Sequence, residues 1–249
     1  SMKLLESFNS SRFIKFKSYD KIKADAVSDY KSLFDRVRLV LPKTENSYLP
    51  TNERMAGSEK NPDPDLAALC YNFGRYILIS SSRPGTEPAN LQGIWNEDMN
   101  PSWDSKYTTN INTEMNYWPA ESGNLAECAE PLTRLVKELT DQGSEVAQEH
   151  YGAQGWVFHQ NTDIWRVAAP MDGPTWGTFT TGGAWLTNQL YEHYLYTMNK
   201  DYLKEIYQVM KGSVLFFMDF LVEHPNGKWL VTNPSNSPEN PPKGPGYKY

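Results

Sequence analysis

Three tryptophans and two tyrosines, Trp95, Trp103, Tyr107, Tyr117 and Trp118, fall among amides, hydroxyls and carboxylates in the stretch from Asn90 to Trp118. A packed core desolvates such a mixture only at high cost unless every polar group is paired. A sugar pocket suits it: indole faces stack on the apolar C–H faces of a pyranose, while short amides and carboxylates satisfy its hydroxyls in fixed directions. A second reading puts Trp95, Trp103 and Trp118 in the core and makes the polar residues helix caps, and the stretch alone leaves both open. Two further loops carry chemistry-bearing residues. One, from Trp156 to Gly183, holds His159, Asn161, Asp163 and Trp165; the other, from Asn233 to Asn240, holds Glu239 beside Pro238. Loops of such length inside a compact domain are commonly functional.

The elements that must hold these loops read as helices. A strand-like piece, Phe13 to Lys17, precedes a first helix expected from Asp25 to Val40, and residues 41–64 read as an irregular linker rich in Pro, Asn and Glu. Asp63 as N-cap and Pro64 at the first helical position open a helix to Ser80, with Leu66, Leu69, Phe73, Tyr76 and Ile77 on one face. The chain re-enters helix from Tyr107, where Asn112 and Asn116 lie one turn apart. Leu125 to Glu149 follows with Leu132, Leu135, Val136 and Leu139 as its buried stripe. Ala184–Met198 and Tyr202–Glu223 form a helix pair whose short join makes them antiparallel neighbours, and Trp229 to Val231 is strand-like. Helix hairpins joined alternately by short turns and long aromatic loops fit an all-α toroid.

Composition narrows the partners. With 249 residues, a net charge of −6 and no long run of either sign, nucleic acid and an anionic membrane surface are poor fits. Aromatic residues make up 13% of a chain that is only 39% hydrophobic, a surplus whose usual destinations are carbohydrate clefts and protein interfaces. Cys70 and Cys128 read as small buried residues, with a single bridge between them left open. His150, His193 and His224 lack a metal-ligand pattern. Ser1-Met2 reads as a cloning remnant, so a missing export signal says nothing about location.

On these residues the chain resembles the catalytic domain of glycoside hydrolase family 95, the inverting α-L-fucosidases. The matching stretches are Ala89 to Trp95, Trp103 to Glu121, His159 to Trp165, Gly182 to His193 and Pro234 to Asn240. The resemblance implies an (α/α)6 toroid, present as roughly half of the barrel. Residues 1–60 are then a cloning remnant and interdomain linker with one helix, and residues 61–249 the N-terminal part of the barrel. It implies a glycan substrate, no cofactor, and a secreted or periplasmic setting. Inverting hydrolysis needs a protonated acid beside the leaving oxygen and a base that activates water on the opposite face of the sugar.

The resemblance places the general acid at Glu239, which as a bare sequence feature is a solvated loop glutamate or a carboxyl whose pKa burial could raise. It matches Asn110 and Asn112 to an amide pair that orients the attacking water, where an amide oxygen accepts without adding a second negative charge; N-capping is the plainer role for both. The general base is expected beyond residue 249, so this chain alone is expected to turn over very weakly. Trp103, His159, Asn161, Asp163 and Trp165 are the further candidates for sugar contacts. Thr108 stands where fucosidases of the family often carry histidine, and its smaller side chain leaves room for a C6 hydroxyl, as in L-galactose. A non-catalytic carbohydrate-binding domain and a helical interaction scaffold are the alternatives, and self-association through uncovered barrel helices is expected under all three.

Overall fold

The computed structural model describes residues 18–240, so the strand-like Phe13–Lys17 and residues 241–249 lie outside the described residues. The chain divides into two units, residues 1–38 and 39–249. The described part of the first is one helix, α1 (Tyr19–Phe34). It begins earlier than the apolar spacing suggests because the Ser18 hydroxyl supplies the cap, accepting the Lys21 N–H at 3.3 Å, and it ends at Phe34 rather than Val40.

The second unit is mostly helical, as expected for an all-α class. It contains α2 (Thr51–Gly57), α3 (Pro64–Ser81), α4 (Asn112–Ser122), α5 (Glu130–Tyr151), α6 (Pro174–Gly177), α7 (Gly182–Thr197) and α8 (Lys200–Phe220). Among its described residues there are also two strand pairs, β1 (Tyr107–Thr108) with β2 (Asn161–Thr162) and β3 (Leu221–Glu223) with β4 (Leu230–Thr232), both antiparallel. The region expected to be irregular linker therefore contains a short helix. Arg54 of α2 reaches Asp63 at 2.8 Å and Asp65 at 3.0 Å, and Asp63 also caps α3 by accepting the Leu66 N–H at 3.1 Å. The hydrogen bond from Arg54 holds the Asp63 carboxyl below the usual carboxylate range.

α3 starts where its cap and proline predict but buries a different side. Leu69, Phe73 and Tyr76 are exposed, whereas Ala68, Arg75, Leu78 and Ile79 are buried. The side turned inward is thus chosen by a charged residue, Arg75, whose Nε donates to the Gly123 carbonyl at 3.1 Å. Cys70 is exposed rather than buried, and neither it nor buried Cys128 is joined in a disulfide. A polar node closes the next turn. The Tyr117 hydroxyl accepts from the Ala89 N–H at 3.0 Å, and Ser82 Oγ donates to the Cys128 carbonyl at 2.8 Å. The 2.7 Å bond between the two hydroxyls must then run from Tyr117 to Ser82.

The core of this unit lies between α5, α7 and α8. Leu132, Leu135, Val136 and Leu139 form the expected stripe of α5, against Leu186 and Leu190 of α7 and Ile206 and Phe216 of α8. Asn199 caps α8 two residues after α7 ends, accepting from Asp201 N and Tyr202 N, so the two helices pack as hairpin neighbours. Through this core runs the extended segment 156–162, all of it buried. Its backbone bonds directly to helix backbone: Trp156 N to Gly212 O at 3.3 Å, Val157 N to Gly143 O at 3.1 Å, and Gly183 N to Phe158 O at 3.3 Å. Glycines make that approach feasible. A Cβ on Gly183 or Gly212 would sit 2.7 Å from the Trp156 ring, and one on Gly143 2.8 Å from the Val157 carbonyl.

Gly155 and Gly152 both have positive φ, 71° and 61°, but an added Cβ at Gly155 overlaps the Gly212 carbonyl whereas at Gly152 it meets nothing within 4 Å. Gly152→Ala should therefore cost about 1 kcal/mol for conformation alone, and Gly155→Ala roughly 3 kcal/mol or more because strain and overlap add. Urea denaturation of the two variants checks this; equal costs would show that the close helix approach does not govern the site.

Candidate active site

The pairing of β1 with β2 brings the first two loops together. Tyr107 faces Thr162 and Thr108 faces Asn161. Thr109, fully buried, extends the join: its N–H donates to the Gln160 carbonyl at 2.7 Å, and its hydroxyl lies 3.0 Å from the His159 carbonyl and 2.9 Å from that of Gln160. The helix expected from Tyr107 accordingly starts only at Asn112, because these residues spend their backbone bonds on the neighbouring loop.

Beside this join opens a cavity of about 610 Å³, within the range of small-ligand sites. Six of the sequence candidates line it: Thr108 on β1, Asn110 in the turn before α4, Asn112 at the first position of α4, Trp103, Asn161 on β2, and Glu239. Trp103 is 75% exposed, and Trp95 and Trp118 are about half exposed, so none of the three is core. Trp103, Asp104 and Ser105 are consecutive left-handed residues, φ 52°, 55° and 50°. Such a run is uncommon without glycine and needs external ties. Ser105 Oγ donates to Gln92 Oε1 at 2.6 Å, Gln92 Nε2 donates to the Ser102 carbonyl at 3.3 Å, and Lys106 pairs with Asp104 at 3.1 Å.

The Glu239 loop arrives from the far end of the chain and hangs on side-chain amides. Asn236 Nδ2 donates to the carbonyls of Thr175 at 2.9 Å and Thr178 at 2.8 Å, and Asn110 Nδ2 approaches the Pro238 carbonyl at 3.5 Å. Glu239 itself is exposed at the cavity with φ 63°, so burial of its carboxyl is not found. Asn110 Oδ1 is buried without a hydrogen-bond partner, as are Gln160 Oε1 and Asn161 Oδ1 on the same lining.

Three expected contacts do not line the cavity. His159 is wholly buried behind it: Nδ1 accepts the Phe179 N–H at 3.0 Å, which leaves Nε2–H to donate to Tyr151 Oη at 3.1 Å. Burial, with the nearby charge of His150, pushes its pKa down to about 4. Asp163 is spent on its own turn, with Oδ1 accepting the Trp165 N–H at 2.8 Å, and Trp165 is 73% exposed. The cause is Arg166, which bonds Glu138 at 2.7 Å and Glu87 at 2.8 Å and draws this part of the loop onto α5. Asn116, one turn after Asn112, ties α4 to the Asn90 carbonyl at 3.3 Å.

The cavity also holds residues that the motifs did not indicate: Gln92, Lys106, Gln160, Trp176 and above all Asp172. Lys106 Nζ lies 2.7 Å from both oxygens of Asp172, and Asn161 Nδ2 donates to Asp172 Oδ2 at 3.0 Å. Burial pulls the Lys106 ammonium down, but its bonds to Asp172 and Asp104 outweigh this and leave the pKa raised. The one sequence signal for Asp172 was the Asp-Gly dipeptide, a turn marker, realised here as left-handed φ at both positions. Among the described residues no group of three or more His, Cys, Asp or Glu could hold a metal, and no helix is long and apolar enough to cross a membrane.

Behind Asn112 lies Glu114, fully buried with neither carboxylate oxygen bonded, and burial raises its pKa to about 8. Folded Glu114 therefore keeps a proton that the unfolded chain loses, so its contribution is intact below about pH 4.5 and is lost as pH rises toward 8. His159 acts in the opposite sense, fully contributing above about pH 6.5 and losing its contribution as pH falls toward 4. Stability should fall by on the order of 2 kcal/mol between pH 6.5 and 8, and Glu114→Gln should abolish that fall. Urea denaturation across this range checks it; an identical pH dependence in the variant would show that Glu114 is ionised in the folded state.

Comparison with known proteins bears on what this cavity does. Residues 18–248 match the family model described as the glycosyl hydrolase family 95 catalytic domain. The chain is 45% identical over 230 residues to Alpha-L-fucosidase 2 of Arabidopsis thaliana, an alignment covering 90% of this chain and 27% of that protein. It is 36% identical over 232 residues to Probable alpha-fucosidase A of Aspergillus niger, covering 91% and 29%, and 34% identical over 191 residues to Probable alpha-fucosidase A of Aspergillus oryzae, covering 71% and 26%. The chain thus spans under a third of the length of these curated relatives.

Proposed function

The chain belongs to glycosyl hydrolase family 95, and from that premise we propose that its cavity takes a terminal α-L-fucosyl residue of a glycan for inverting hydrolysis. The observation that carries the reading is the meeting of Asn110, Asn112 and Glu239 on one cavity with the exposed side chains of Trp103 and Trp176. Trp103 and Trp176 offer ring faces for the C–H surface of a pyranose, and the polar side chains of the lining offer partners for its hydroxyls.

In this reading Glu239, protonated, donates to the glycosidic oxygen as the bond from that oxygen to the anomeric carbon breaks. Asn110 and Asn112 accept hydrogen bonds from a water on the opposite face and aim its lone pair at the anomeric carbon. The proton this water releases passes to a carboxylate base that neither asparagine supplies. Asp104 and Asp172 are committed to Lys106, and neither is assigned that role. Thr108, across the strand pair from Asn161, leaves space for a C6 hydroxyl, so α-L-galactosides are proposed as substrates beside fucosides. Exposed Phe73, Trp118, Leu195 and Tyr196 favour self-association of the chain, which light scattering reads directly.

In an active polypeptide containing this chain, Glu239→Gln should lower kcat about 10²- to 10⁴-fold on a fucosyl disaccharide. The loss should be much smaller on p-nitrophenyl α-L-fucoside, whose leaving group needs little protonation. Asn110→Asp, though isosteric, should also be severely impaired, because it removes the donor to Pro238 and adds a charge beside Glu239. A wild-type disaccharide rate in the Glu239→Gln variant would remove Glu239 from the acid role. A strong preference for the fucoside over the matching α-L-galactoside would overturn the part assigned to Thr108.

A further inference from the structure

Asp172 has no place in the hydrolytic steps above, yet the cavity is built to hold it. Its carboxylate is gripped by Lys106 at both oxygens and by Asn161 at Oδ2, and its side chain remains 43% exposed. Lys106, by contrast, is 10% exposed, with its ammonium directed at Asp172 and Asp104. A carboxylate has about four acceptor positions, and the three bonds to Asp172 leave one open, on Oδ1. Asn161, having donated to Asp172, keeps its own oxygen unpartnered next to it. The turn presenting Asp172 is left-handed at both Asp172 and Gly173, φ 64° and 87°.

Charge bears on what could complete this arrangement. Two carboxylates share one ammonium, so the Asp104–Lys106–Asp172 group carries a net −1, and Glu239 stands on the same lining. A second negative group on the ligand is disfavoured there, and the position a cation would take is filled by Lys106. What remains is a neutral donor, which on a sugar means a ring hydroxyl.

Resting on the fucosidase reading, we propose that Asp172 is a specificity-determining residue. Its free Oδ1 position accepts a hydrogen bond from one ring hydroxyl of the bound sugar, with Lys106 and Asn161 fixing its orientation. Lys106 is then a positioning residue, acting on the sugar through Asp172.

The test uses an active polypeptide containing this chain with a p-nitrophenyl α-L-fucoside and its three ring-monodeoxy analogues. A hydrogen bond to a charged acceptor predicts that one analogue loses roughly 10- to 100-fold in kcat/KM in the wild type. Asp172→Ala should lose a similar factor on the parent fucoside and show no further loss on that one analogue, while its penalties on the other two stay as in the wild type. Lys106→Met should weaken the same discrimination, and Lys106→Arg should restore part of it. Thermal unfolding of each variant is followed alongside. If Asp172→Ala lowers the melting temperature but keeps all three deoxy penalties, the ion pair is a structural clip and the proposal is wrong. If the active wild type hydrolyses p-nitrophenyl glycosides of another sugar and not the fucoside, the fucosidase reading itself falls and this inference falls with it.

Discussion

The structure rests on a strip of buried backbone. Residues 156–162 pass between three helices close enough for amides and carbonyls to bond across, and backbone that leaves water in this way must find partners for nearly every polar group. The helices supply those partners because Gly143, Gly183 and Gly212 stand where a side chain would hold the strip away. The Trp156 indole fills the space left by the missing side chains, its Nε1 donating to the Val209 carbonyl at 2.8 Å. What looks in one dimension like a long loop is therefore half core. Its rigid first part delivers Gln160 and Asn161 to the cavity wall, and its outer part swings away under the pull of Arg166.

The site built on that strip divides its labour by burial. Behind the cavity wall the ionisable groups are neutral near pH 6, His159 because burial disfavours its charge and Glu114 because burial retains its proton. At the wall Lys106 is paired between Asp104 and Asp172. An ion pair at a cavity wall contributes little net stability once desolvation is counted, so its effect is better sought in orientation than in holding the fold together. The unpaired amide oxygens of Asn110, Gln160 and Asn161 are a cost of the same kind, since each has left water without gaining a partner.

Much of this was readable from the chain. Asp63-Pro64 marked a helix start because capping is local chemistry, and the Leu132–Leu139 stripe marked a core face because periodicity survives without knowledge of partners. The loop residues Trp103, Thr108, Asn110, Asn112, Asn161 and Glu239 were legible as a set from their types and their resemblance to a family. Asp172 was not, since its partner Lys106 lies 66 residues away and the two meet through a two-residue strand pair too short to leave a periodic trace. His159, Asp163 and Trp165 belong to the same matching stretch as Asn161, yet none of the three lines the cavity. His159 turns inward to Phe179 and Tyr151, and Arg166 draws the outer part of the loop onto α5. On α3 the aromatic residues pointed to one face and a buried arginine chose another, a decision that depends on a carbonyl at Gly123 that no local window contains.

The suspension of the Glu239 loop from Asn236 has a chemical side as well as a geometric one. Two backbone carbonyls, those of Thr175 and Thr178, share the hydrogens of a single primary amide. Hydrolysis of that amide to a carboxylate exchanges two donated bonds for two repulsions, while the cores of α5, α7 and α8 are untouched. A preparation ageing in this way would keep its melting temperature and its circular dichroism spectrum while Glu239 drifts from the cavity, so purity and foldedness would both overstate how many molecules hold the loop in place.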